Sequence, residues 1–167
     1  LLEALDADAR LPTQIVHALP IDDAGVMAGF YSLLALGQAL GALDLAAPPA
    51  LTVLSTGMQR VAGEPALQAA KALLLGPVRV MPREIAGMRT RSVDVELAPE
   101  GSWQRGQLLD QLAGELASAP DADSVAWRGD DRWVLDWSPL PLGARAGSRL
   151  RQGGTYLITG GQGGLGL

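Results

Sequence analysis

The sequence predicts an α/β protein whose mostly parallel sheet carries helices on both faces. Three observations support this. Short apolar runs at residues 14–19, 51–54 and 91–97 alternate with longer segments of helical spacing, the order that gives strand, crossover helix and parallel strand. Two further runs, at residues 124–127 and 132–137, are separated by Gly129, Asp130 and Asp131, as in a hairpin. A last apolar run at Tyr156, Leu157 and Ile158 enters a glycine-rich turn.

The elements follow in order. Residues 14–19 form a short strand closed by Pro20. Asp22 and Asp23 offer carboxylates for the start of a helix reaching about Leu43, where the free N–H groups and the dipole favour negative charge. Within it Val26, Phe30, Leu33, Gly37 and Leu40 recur every three or four residues, the stripe of a helix facing a core rather than of a membrane span. Residues 51–54 make a second strand ending at Ser55, Thr56 and Gly57. Pro65 suits the first turn of a helix from Ala66 to about Leu75, kinked or ended by Gly76 and Pro77. Residues 91–97 alternate, with Val93, Val95 and Leu97 on one face and Ser92, Asp94 and Glu96 on the other. Leu108, Leu109, Leu112 and Leu116 form the next helical stripe. Residues 138–154 lose periodicity and read as a linker rich in Pro, Gly and Arg.

Composition bounds the function. A chain of 167 residues, 48% hydrophobic and 19% charged, is globular rather than disordered. Its net charge of −5 argues against a nucleic-acid surface or an anionic membrane, since both call for clustered Lys and Arg. With no Cys there is no disulfide, Cys-based zinc site or thiol nucleophile. The opening residues lack the basic and apolar regions of a secretory leader, so cytoplasm is the default location.

The tail matches Thr-Gly-x-x-x-Gly-x-Gly at Thr159, Gly160, Gly164 and Gly166. Glycine permits the tight strand-to-helix turn, lets the backbone approach a pyrophosphate, and lets the helix that follows pack on the sheet. This spacing is that of short-chain dehydrogenases, a Rossmann-like fold. Those enzymes place a Ser at a strand end and a Tyr-x-x-x-Lys on the following helix, the Tyr exchanging the proton and the Lys lowering its pKa. Ser55 and Lys71 stand at matching positions, but the residue four before Lys71 is Leu67, which has no proton to give. Without that donor, Leu67 reads as a core residue, Lys71 as a solvated helix residue and Ser55 as a turn former, so no catalytic residue is assigned. His17 reads as a satisfied strand histidine. The acidic residues lack metal-binding spacing, and Trp103, Trp127, Trp133 and Trp137 read as packing for the hairpin and its interface.

At residues 15–19, 30–34, 51–57, 70–82, 91–95, the strand from Arg132 and residues 154–161, the chain resembles the ketoreductase region of a modular type I polyketide synthase. The resemblance covers nearly the whole chain. It implies two halves of short-chain-dehydrogenase type: residues 1–138 a truncated, non-catalytic structural subdomain, 139–152 a linker, and 153–167 the first strand and phosphate-binding turn of a catalytic Rossmann subdomain. The N-terminal strand of the structural half would precede Leu1, and the catalytic Ser, Tyr, Lys and Asn would follow Leu167. It further implies that Thr159, Gly160, Gly161, Gln162, Gly163, Gly164, Leu165 and Gly166 bind NADPH in the intact ketoreductase. That enzyme would reduce the β-keto group of an acyl chain held on the phosphopantetheine of an acyl carrier protein. The partners implied are the catalytic subdomain, the carrier protein and other synthase domains, with no nucleic acid and no membrane. An inert pseudo-ketoreductase scaffold is the alternative, and a stand-alone acidic α/β domain that binds a partner through its Trp-rich hairpin is a further one.

Overall fold

The computed structural model describes residues 1–21, 25–61, 63, 67–141, 150–157 and 159. The chain divides into two compact units, Leu1–Asp136 and Trp137–Leu167.

The first unit is built on a five-stranded sheet in the order β1-β2-β3-β4-β5, with β1 Gln14–His17, β2 Ala50–Thr56, β3 Thr90–Val95, β4 Ser124–Arg128 and β5 Asp131–Val134. The first four strands are parallel, and β5 returns antiparallel to β4. The turn between β4 and β5 is two residues long, and Gly129 has a φ of +55°, the left-handed conformation at the first central position that only glycine adopts without strain. The predicted hairpin is therefore present.

The helices are α1 Leu2–Ala7, α2 Val26–Ala42, α3 Leu75–Glu84 and α4 Trp103–Ala117. Along α2, Val26, Gly29, Leu33 and Leu40 are buried, as the spacing predicts. Gly25 occupies its N-cap without a side-chain hydrogen bond, and Asp22 and Asp23 lie outside the described residues. Helix α4 starts from Ser102, whose hydroxyl accepts a hydrogen bond from the Arg105 N–H at 3.3 Å and so satisfies one of the first-turn donors.

Alternation along the strands divides the core into two layers. Leu51 and Val53 of β2 pack with Leu33 and Leu40 of α2 and with Leu74, Val78 and Met81 at and before α3. Leu54, Val93, Val95 and Val125 pack on the other face with Leu108 and Leu112 of α4. Helices therefore cover both faces, as expected. Strand order advances in one direction from β1 to β4, yet α2 and α3 lie on one face and α4 on the other. The β3–α4–β4 crossover is therefore of opposite hand to the two before it, a departure from the rule that such connections share one hand.

Several local expectations need correction. The first strand ends at His17 and a 3-10 turn, Leu19–Ile21, follows it. The helix expected to close at Gly76 and Pro77 instead begins as a 3-10 helix at Ala69–Leu74 and passes into α3 at Leu75. Pro77 is harmless there, because first-turn N–H groups have no partner within the helix. Every residue of β3 is buried, so Ser92 and Asp94 point into a covered face and not toward water. The C-terminal strand expected at Thr155 to Ile158 is not formed at Thr155, Tyr156 or Leu157. No described segment of its unit pairs with it, and an unpaired strand leaves its ladder groups to water. The Tyr156 hydroxyl instead accepts a hydrogen bond from the Arg151 N–H, and Leu157 is exposed.

Candidate functional site

Of the turn expected to bind a cofactor, Thr159 is exposed, and Gly160, Gly161, Gln162, Gly163, Gly164, Leu165 and Gly166 lie outside the described residues. The described residues do place a polar cluster at the carboxyl ends of β2, β3 and β4. In open α/β sheets this is where ligands bind.

Ser55, next to last in β2, lies directly opposite Asp94 of β3. Both are fully buried, and the Ser55 hydroxyl donates to Asp94 Oδ1 at 2.9 Å. The backbone beyond β2 turns at Gly57, whose φ is +62°. This turn brings the Met58 N–H to Asp94 Oδ1 at 3.0 Å and the Gln59 N–H to Asp94 Oδ2 at 3.1 Å. Arg128, the last residue of β4, donates through Nη2 to Asp94 Oδ2 at 2.7 Å and to the Gln59 carbonyl at 2.8 Å. One carboxylate thus receives four donors, three from the end of β2 and the loop after it and one from the end of β4, which satisfies a charge that would be costly to bury alone.

Lys71 is fully buried rather than solvated. Its Nζ donates to the Thr56 hydroxyl, which itself donates to the Ile21 carbonyl at 3.1 Å. Leu67 is 36% exposed and is not a core residue, because it precedes the 3-10 helix that carries Lys71 inward. The structure therefore places Ser55 and Lys71 in one neighbourhood, at consecutive β2 residues, but engages each in holding the fold. Ser55 turns to Asp94, and the proton donor's place in the sequence belongs to Leu67.

A second charged cluster lies on the α4 face. Arg91 of β3, 2% exposed, donates through Nη1 to Glu115 Oε1 at 3.0 Å and through Nε to the Thr52 hydroxyl at 2.9 Å. Arg132 of β5 reaches Glu115 Oε2 at 2.6 Å and, toward solvent, Asp121 Oδ1 at 2.5 Å. The Arg132 hydrogen bonds hold the Glu115 carboxyl below the usual carboxylate range despite the opposing effect of burial. Asp121 is lowered by the same guanidinium, and Arg132 is raised in turn, first by Glu115.

His17 sits at the end of β1 with Nε2 2.8 Å from the Ser32 hydroxyl, and burial lowers its pKa. Its Nδ1 is buried and has no hydrogen-bond partner among the described residues. Among the described residues no group of three or more His, Cys, Asp or Glu could hold a metal ion. No described helix is long and apolar enough to cross a membrane. Of the tryptophans, Trp127 packs in the α4 layer, whereas Trp103 and Trp137 are 73% and 84% exposed.

Sequence reasoning missed Asp94, Arg128, Arg91 and Glu115 as a group. The available signal was charge inside the most β-like segment, where Arg91 and Asp94 interrupt a strand that helices cover on both sides.

No family model matches the chain. It is 36% identical over 124 residues to one subunit of the phenolphthiocerol/phthiocerol polyketide synthase of Mycobacterium tuberculosis (strain CDC 1551 / Oshkosh), covering 71% of this chain and 6% of that protein. It is also 36% identical over 165 residues to erythronolide synthase EryA3 of Saccharopolyspora erythraea, covering 99% of this chain and 5% of that protein. The chain thus spans a small part of the length of these relatives. In fold it is similar, with a TM-score of 0.68 at 23% identity, to an adenylation, ketoreductase and pseudo-Asub multidomain structure of a keto acid-selecting NRPS module, covering 98% of this chain and 14% of that one. These matches bear out the resemblance: in sequence the chain matches a stretch of polyketide synthase subunits, and in fold it is similar to a module that holds a ketoreductase.

Proposed function

We propose that the chain is part of a polyketide-synthase ketoreductase region in which residues 1–138 are the structural, non-catalytic half, joined through residues 139–152 to the opening of the catalytic half at 153–167. NADPH, when bound to the catalytic half of the intact enzyme, would supply the hydride for reduction of the β-keto group of an acyl chain on the phosphopantetheine of an acyl carrier protein. Thr159 and residues 160–166 would hold its pyrophosphate, as glycine-rich turns of this spacing do. The structural half supports the catalytic half and meets other domains of the synthase.

The observation that carries this reading is the state of the first unit's own reaction machinery. Ser55 donates to Asp94, Lys71 donates to Thr56, and Leu67 stands where a tyrosine would exchange the proton. A reduction needs that proton at the substrate oxygen, and this arrangement has none to deliver. The 167-residue chain is therefore expected to oxidise no NADPH when given a diketide thioester, as followed by absorbance of the reduced nicotinamide. Steady turnover by this chain alone would overturn the reading.

A further inference from the structure

The strand-end cluster around Asp94 does not offer a dinucleotide an open set of donors. Its anion-binding donors are already engaged. The N–H groups of Met58 and Gln59 are consecutive, follow a left-handed Gly57, and converge on a single carboxylate. Concave backbone of this type binds anions throughout α/β proteins. The Ser55 hydroxyl and the Arg128 guanidinium complete the set, so that each carboxylate oxygen accepts two of the four donors. The site is built rather than incidental: Ser55 and Asp94 are fully buried, and the Arg128 side chain is 12% exposed. A pyrophosphate brought to this cluster would meet donors already in use and a negative charge facing it.

We propose that the loop after β2 is an anion site whose ligand is the protein's own Asp94 carboxylate, and that without this side chain the site takes a small free carboxylate such as formate. Asp94 does for this unit what a bound anion does elsewhere. It fixes the loop at residues 57–59 against β3 and draws in the end of β4 through Arg128. The proposal is independent of the reductase reading, because its test reads stability and not turnover.

The experiment uses the full 167-residue chain with Asp94→Ala, which removes the carboxylate and leaves its four donors. Thermal unfolding is followed by circular dichroism in sodium formate and in sodium chloride at equal ionic strength and pH. In chloride the variant is expected to unfold about 10 °C below the parent, the size of effect that follows from removing one partner of a buried ion pair. Formate at about tenfold its Kd should return about 4 °C of that loss, whereas the parent should melt at the same temperature in both salts. A variant unfolded in chloride but folded in formate would support the proposal even more directly. Equal melting in the two salts, or failure to fold in either, overturns it. Adding Arg128→Ala to Asp94→Ala should abolish the formate response, and a response that survives this second substitution also overturns the assignment.

Discussion

The sheet carries two buried charged clusters whose carboxylates are held by different means. Asp94, at the carboxyl ends of the strands, receives one guanidinium and three neutral donors, two of them backbone N–H groups. Glu115, on α4, lies between two guanidiniums, those of Arg91 and Arg132. The first cluster organises a loop where an open α/β sheet would otherwise take a ligand. The second ties a helix to two strands, and through Asp121 it extends to the surface. The contrast separates a binding position turned to internal use from a brace between layers. In the first, the carboxylate stands in for a ligand. In the second, it cancels charge that the sheet itself has buried.

The sharpest way to break this comparison is to remove Glu115. Glu115→Ala leaves Arg91 buried without its counter-charge, and a loss of about 3–5 kcal/mol is expected, the usual cost of breaking a buried pair from one side. Urea unfolding of the full chain measures it. A loss below about 1 kcal/mol would mean that the cluster is not a brace.

Removing the guanidinium from the other cluster should cost less. With Arg128→Ala, Asp94 keeps the Ser55 hydroxyl and both N–H groups, so the loss should be about 1–3 kcal/mol, the worth of charged hydrogen bonds in the remaining network. The same urea experiment compares the two variants directly. Equal losses would erase the distinction between a carboxylate held by neutral donors and one held by two cations.

The smallest expected effect is in acid. Arg132 lowers the Glu115 pKa in the folded chain below its ordinary value of 4.5. The folded state thus binds fewer protons than the unfolded state in this range, and stability falls as pH falls. Glu115 contributes in full above pH 4.5 and loses that contribution as pH drops through its lowered folded value. Arg132→Gln removes the main cause of the shift, so acid unfolding of the variant should begin at higher pH than in the parent. Coincident acid transitions, followed by tryptophan fluorescence, would show that Arg132 does not sustain the Glu115 charge.

Much of the architecture was legible from local pattern. The stripe of Val26, Leu33 and Leu40 marked α2, and glycine at position 129 with polar neighbours marked the hairpin turn. The reading was weakest where a residue's meaning depends on what lies across the sheet. Asp94 and Ser92 alternate with Val93 and Val95 as residues of a half-exposed strand would, yet helices cover both faces of β3. Lys71 has the composition of a solvated helix position, but the 3-10 helix preceding α3 turns it toward Thr56. Gly76 and Pro77 look like a stop, and they act instead within a first turn, where a missing N–H costs nothing. The candidate site divides in the same way. The loss of the proton donor at Leu67 was plain from spacing, whereas the use made of Ser55 was not, because its partner Asp94 is 39 residues away.

The sequence by itself determined the class of fold, the succession of the five paired strands, the family resemblance and the absence of a tyrosine four residues before Lys71. Periodicity, turn chemistry and spacing are local properties, so they can be read along the chain. Tertiary structure alone decided which charges are buried, which of them pair, and that Asp94 takes the donors at the strand ends. Those outcomes depend on strand register and on which face each helix covers. Register brings Ser55 opposite Asp94 and Arg128 to their side, and no local pattern in the chain encodes that meeting.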